Sequence, residues 1–175
     1  MKRITHSSVL NFITITVVDW IDIFTRREYK DFIIECLQHC QEKKGLEIYE
    51  YVIMTNHLHL IVCDTTNILS DVLRDFKTYT SKQLFKMIEE NPQESRKEWI
   101  LKAFKKAGQE NSVNKNHQLW QNENYPVALM NNEITAQKQQ YIHQNPVKAG
   151  FVSEPYQYYY SSANLESPLK VMKLL

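Results

Sequence analysis

The sequence predicts an α+β domain, an antiparallel β-sheet with helices packed against it. Three observations carry this. Residues 12–18, Phe-Ile-Thr-Ile-Thr-Val-Val, alternate and are rich in β-branched side chains. Residues 46–54 and 57–63 are apolar runs parted only by Thr55-Asn56, the spacing of an antiparallel hairpin. Between and beyond these runs, apolar residues recur at helical spacing.

The elements follow in order. After the strand at 12–18, residues 27–44 place Tyr29, Phe32, Ile33, Cys36, Leu37 and Cys40 on one helical face, and Gly45 is a suitable C-terminal stop. The hairpin strands come next. Asn67 or Ser70 is then positioned to cap a helix running to about residue 89, with Leu69, Val72, Leu73, Phe76, Tyr79, Leu84 and Met87 inward, and Asn91-Pro92 ends it. Residues 93–116 are polar and basic with a helical middle, and read as a mobile insertion. Residues 117–121 read as a short strand or an extended segment. A last helix spans 132–145, where Pro146 predicts a break because a residue before proline is disfavoured in the α conformation. Gly150 closes a turn, and the tyrosine-rich stretch 156–162 is expected to pack back onto the domain. The whole of 1–175 is expected to be one domain, with a tail from about 152.

Composition narrows the function classes. Hydrophobic residues make up 43% and charged residues 23%, the ordinary globular range. No run approaches eighteen apolar residues, so no membrane span is expected. The first eight residues are basic, but the next stretch is broken by Asn11, Thr14 and Thr16 and is no signal-peptide core, so the expected location is the cytoplasm. Cys36, Cys40 and Cys63 form no disulfide framework and read as small buried hydrophobes. With three glycines in the chain there is no phosphate-cradling loop, which argues against the common nucleotide-binding enzymes. A net charge of +1 is weak support for a nucleic-acid partner, although Arg96, Lys97, Lys102, Lys105 and Lys106 cluster against a single Glu98.

Two stretches carry chemistry. In Tyr51-Val52-Ile53-Met54-Thr55-Asn56-His57-Leu58-His59-Leu60-Ile61-Val62, strand alternation puts His57 and His59 on one face and Leu58, Leu60 and Val62 on the other. Imidazoles two residues apart, about 7 Å along a strand, can converge on one divalent cation. The metallo-β-lactamase pattern is absent, because Leu-Ile-Val follows at 60–62, and the histidine-triad pattern fails at Ile61. In Tyr141-Ile142-His143-Gln144-Asn145-Pro146-Val147-Lys148-Ala149-Gly150, Tyr141 and Asn145 lie one helical turn apart on a shared face, while His143 points away. A phenol and an amide oxygen beside two imidazoles suit Mg2+ or Mn2+ better than a closed zinc site. Spacing alone does not single out Tyr141 among ten tyrosines.

Together these motifs resemble the single-tyrosine HUH transposases, in particular the REP-associated tyrosine transposase branch. Supporting pieces are residues 73–81 (Leu-Arg-Asp-Phe-Lys-Thr-Tyr-Thr-Ser), Leu119-Trp120-Gln121 and Tyr160-Ser161-Ser162, so the likeness spans roughly residues 10–163. One departure is Thr55, where relatives often carry proline before Asn-His. The resemblance implies a ferredoxin-like HUH fold, with His57 and His59 as metal ligands, Tyr141 as nucleophile and Asn145 completing the metal site, with Gln144 as runner-up. It implies cleavage and rejoining of single-stranded DNA through a 5′-phosphotyrosine. The partner is single-stranded or hairpin DNA, contacted by Arg74, Lys77, Lys148 and the 96–106 cluster, and the protein acts as a monomer or homodimer. Two rivals are a domesticated relative that binds structured single strands without cutting them, and an unrelated metal hydrolase built on His57 and His59.

Overall fold

A computed structural model of the chain describes residues 9–65, 68–111 and 116–174. The elements run β1 (Asn11–Thr16), α1 (Arg27–Lys44), β2 (Leu46–Ile53), β3 (His57–Asp64), α2 (Leu69–Glu90), α3 (Lys97–Gln109), β4 (Val127–Ala128) and α4 (Asn132–Lys148). Short 3-10 turns lie at Val18–Trp20 and Pro155–Gln157. The four strands form one antiparallel sheet in the order β2-β3-β1-β4. This is the expected α+β architecture.

The sheet has two covered faces. Ile13 and Ile15 of β1 join Leu58, Leu60 and Val62 of β3 in the main core, under α1, α2 and α3. Phe12, Val52 and Ile61 point the other way and meet Leu129 and Ile142, so α4 covers the second face. An irregularity in β2 changes which of its side chains reach each face. A register shift lies between Ile48, which pairs with Val62, and Glu50, which pairs with Ile61. The extra residue reverses the alternation. Leu46 and Ile48 face the main core before it, Tyr51 and Ile53 after it, and Glu50 is left on the α4 face.

Several expectations change. Gly45 does end α1, in the left-handed region at φ 71° where glycine avoids the Cβ penalty. For α2, however, Ser70 lies inside the first turn and Ile68 precedes the helix with no side-chain cap, while Asn67 lies outside the described residues. Thr80 takes the buried stripe position and Tyr79 is left 56% exposed beside Phe32. Within the basic segment, α3 buries Ile100, Leu101 and Phe104 in the main core. Three such side chains contribute about 1.5–3 kcal/mol each. Residues 117–121 are extended, with a single bridge from Trp120 to Val17, and the fourth strand is the unforeseen pair Val127–Ala128.

The last helix does not break before Pro146. It runs through to Lys148, because proline there removes only the bond to the Ile142 carbonyl, and the turn still closes through Ala149 N–H to Asn145 O (3.0 Å) and Phe151 N–H to Pro146 O (3.0 Å). The tyrosine-rich tail packs back as expected. Ile53 N–H donates to Tyr160 O (2.9 Å) and Ser162 N–H to Tyr51 O (3.0 Å), which covers the otherwise open edge of β2. Cys36, Cys40 and Cys63 are buried, and burial pushes the Cys36 and Cys40 thiols up to about 12 and about 11. Among the described residues no helix is long and apolar enough to cross a membrane.

Candidate active site

The site forms where β3 meets α4. His57 and His59 share the α4 face of the sheet with their ring centroids 4.7 Å apart. The Tyr141 ring stands edge-on to His59 at 5.1 Å, Phe12 stacks on His59 at 5.3 Å, and the Phe12 and Tyr141 rings are 5.9 Å apart. On α4, Lys138, Tyr141, Asn145 and Lys148 recur at three- and four-residue steps and so share one face. The ammonium groups of Lys138 and Lys148 lie 5.6 and 5.9 Å from the centre of the Tyr141 ring. Tyr141 itself is 41% exposed, open to a ligand.

Each imidazole is held by its inner nitrogen. The Asn56 amide donates to Trp20 O (3.2 Å) and Asp22 Oδ1 (2.9 Å), which fixes its orientation and leaves Oδ1 to accept from His57 Nδ1 at 2.7 Å. The Asn145 side chain hydrogen-bonds the same ring. Thr14 on β1 lies opposite His59 in register, with its hydroxyl 2.9 Å from His59 Nδ1. Burial lowers His57 below its ordinary value; burial, then the His57 and Lys138 charges, lower His59 to about 3. Neutral imidazoles with one nitrogen tethered are the arrangement metal-ligating histidines use. Among the described residues, no group of three or more His, Cys, Asp and Glu side chains is placed to hold an ion. The donor set of two imidazoles and an amide therefore fits an open divalent-cation site with positions left for water or phosphate oxygens, and does not fit a closed structural zinc site.

Two supporting features were not foreseen. Glu50, 6% exposed, faces α4 and accepts from His143 Nε2 (2.7 Å), Gln139 and the Ser162 hydroxyl. This buried carboxylate ties the helix face opposite Tyr141 to β2 and the tail. His143 thus points away from Tyr141, as helical spacing predicts. The β2 phase slip that aims Glu50 is visible in the spacing of Leu46, Ile48, Tyr51 and Ile53. The second feature is the turn after β1, where Asp19 (φ 53°) and Trp20 (φ 54°) both adopt left-handed backbone. That conformation costs roughly 1–2 kcal/mol per residue for L-amino acids. It sets the Trp20 ring 5.9 Å from His57.

The other expected DNA contacts are not all gathered here. Lys148 stands beside Tyr141, but Arg74 and Lys77 lie on α2, across the sheet. They line a separate cleft of about 650 Å³ between α2 and residues 116–124. Arg74 pairs within its own helix with Asp71 (2.7 Å) and Asp75 (3.3 Å). Lys77, lowered to about 8 by burial, donates to Gln121 O, Asn122 O and Asn124 Oδ1 and anchors that segment. Of the 96–106 cluster, Arg96 donates to Asp22 O and Thr25 Oγ1, bracing the turn that carries Trp20.

Comparisons with known proteins agree with this architecture. No curated protein matches the sequence. In fold, the chain is similar to a REP-associated tyrosine transposase solved bound to a REP hairpin, with a TM-score of 0.59 at 18% identity, covering 89% of this chain and 76% of that one. A protein from Deinococcus radiodurans solved as a candidate transposase aligns at a TM-score of 0.47 and 17% identity, covering 81% of this chain and 95% of that one. The sequence model for IS200-like transposases matches residues 13–104, more than half of the chain. The chain belongs to the IS200-like transposase family.

Proposed function

We propose that this protein nicks and rejoins single-stranded DNA at a divalent cation held by His57, His59 and Asn145, with Tyr141 as nucleophile. The observation that carries the reading is the convergence of His57, His59 and Tyr141 from a strand and a helix more than eighty residues apart, with the inner nitrogen of each imidazole already tethered. Mg2+ or Mn2+, when bound there, supplies Lewis-acid polarisation of the scissile phosphate. The Tyr141 oxygen attacks phosphorus and gives up its proton, the bond from phosphorus to the 3′-oxygen breaks, and the 3′-oxygen leaves as a hydroxyl. The 5′-phosphotyrosine keeps one phosphodiester's worth of energy, so the reverse attack by a 3′-hydroxyl rejoins strands without ATP. Lys138 and Lys148 flank the phenol and favour an approaching phosphate. The partner is single-stranded or hairpin DNA, in keeping with the hairpin bound to the structural neighbour.

The test is to incubate the protein with end-labelled single-stranded DNA and Mg2+ or Mn2+, and to look for an adduct that survives denaturation. Adduct formation by wild type, its loss in Tyr141→Phe with DNA binding retained, and its loss with a chelator are expected. Cleavage undiminished in Tyr141→Phe would sink the nucleophile assignment. Cleavage without any covalent adduct would favour a metal hydrolase, and binding without cleavage a domesticated binding protein.

A further inference from the structure

We propose that Trp20 is a base-stacking subsite, receiving on its indole face a nucleobase of the single strand whose phosphate lies over His57; this rests on the proposed function and deepens it. Trp20 is 57% exposed, although an indole that packed inward would bury 150–250 Å² of surface. Its exposure is built in. Val18, Ile21, Ile23 and Phe24 on either side are buried, so the turn is anchored. Its backbone is tied at both ends: Trp20 N–H donates to Val17 O (3.1 Å), and Asn56 donates to Trp20 O (3.2 Å). Arg96 braces the next residues through Asp22 O (2.9 Å) and Thr25 Oγ1 (3.0 Å). The backbone at Asp19 and Trp20 is left-handed in this anchored turn, and the Trp20 side chain stays exposed on it. Strain concentrated on an exposed aromatic beside a reactive group points to a ligand.

Geometry and charge point to a nucleobase as that ligand. The indole and the His57 ring form a T-shaped pair at 5.9 Å and 73°, and more than half of the indole residue stays exposed beside it. One side-chain amide, that of Asn56, holds both the Trp20 carbonyl and the His57 ring. A base on the indole would therefore sit at a fixed position relative to the His57 ring. Lys138 and Lys148 beside Tyr141 offer cations to the backbone. Aromatic platforms beside a basic track are the arrangement that holds single strands, and stacking tolerates every base. Trp20 would then select which phosphate meets Tyr141.

Tryptophan emission reads this directly. The chain has three tryptophans, Trp20, Trp99 and the buried Trp120. In a Trp99→Phe background Trp20 is the remaining exposed indole. A mixed-sequence single-stranded oligonucleotide in Mg2+ buffer should quench its emission, and an otherwise identical oligonucleotide of abasic sites should bind without quenching. Anisotropy of a labelled oligonucleotide should show binding weakened about 5- to 150-fold in Trp20→Ala, the range one base–aromatic stack supplies. Trp20→Phe, which keeps a stacking face, should recover most of it. An oligonucleotide that binds with unchanged emission, or equally well to Trp20→Ala, overturns the subsite and leaves the proposed function intact. Quenching without any Tyr141 adduct supports the subsite while the chemistry of Tyr141 falls. Absence of oligonucleotide binding to the parent protein overturns both.

Discussion

Replacing Glu50 tests whether a buried carboxylate fixes the helix that carries Tyr141. Glu50→Ala removes an ionised acceptor from three donors, His143 Nε2, Gln139 Nε2 and Ser162 Oγ. Breaking a buried charged network by deleting one member costs about 3–5 kcal/mol. His143 is 26% exposed at its side chain, so water can re-satisfy part of the loss and the lower end, about 3 kcal/mol, is expected. Burial alone would raise the Glu50 carboxyl; the hydrogen bonds from His143, Ser162 and Gln139 override that and hold it below its ordinary value. A depressed carboxylate stabilises the fold above the unfolded-state pKa, and that stabilisation is lost as pH falls through the folded-state value. Urea unfolding at neutral pH should therefore show the midpoint of Glu50→Ala falling by roughly 1–3 M at an ordinary urea slope. Glu50→Gln, which keeps the shape and one acceptor, should lose about half as much. Below pH 4 the gap between wild type and Glu50→Ala should narrow. At a temperature where Glu50→Ala is still folded, adduct formation should fall while single-strand binding changes less, because α4 has lost its tether to β2. A Glu50→Ala protein within about 0.5 kcal/mol of wild type would refute the tether, since surface changes alone fall in that range.

Two further predictions concern the histidines. His59 is lowered to about 3, so the unfolded chain takes up its proton first as pH falls, and stability is full above about 6.5 and declines toward the folded value. With a chelator present, going from pH 7.5 to 5 should cost about 2 kcal/mol through His59, and the pH dependence of urea unfolding should flatten by that amount in His59→Gln; equal slopes in the two proteins would contradict the burial assigned to this ring. Thr14→Val keeps the shape of β1 but removes the hydroxyl 2.9 Å from His59 Nδ1. Mn2+ affinity by calorimetry should fall about 10- to 100-fold while the melting temperature barely moves, and unchanged affinity would mean that Thr14 does not orient the ligand.

Local signals gave the parts of this molecule whose cause is local. Arg27–Lys44 ends at Gly45 because helical periodicity and a left-handed stop are adjacent in sequence. His57 and His59 share a face because strand alternation puts them there. What was not legible depends on partners far along the chain. Thr14 meets His59 only through the β1–β3 register, and Val127–Ala128 is a strand only because it pairs with Asn11 and Phe12. The apolar side of α3 was hidden behind its four lysines, and whether a helix is appended or docked depends on the surface that receives Ile100 and Phe104. Tyr141 was singled out by family resemblance, since nothing in its spacing distinguishes it from nine other tyrosines.

Glu50 and Trp20, which were missed, and Pro146, whose effect was misjudged, share a trait that the sequence displays: each breaks a local rule. Glu50 is a carboxylate within an apolar strand, placed by a slip in alternation. Trp20 is a large aromatic beside an aspartate in a segment whose neighbours are apolar and buried. Pro146 sits inside a helix it would ordinarily end. Each departure carries a cost, in desolvation, in left-handed backbone or in a lost hydrogen bond, and all three adjoin the histidine–tyrosine face or the helix that builds it. A fold retains such costs where an alternative local solution would misplace a functional group. In this chain the breaks in pattern therefore mark the site's supports, as the regular His-x-His alternation marks the histidines proposed to hold the cation.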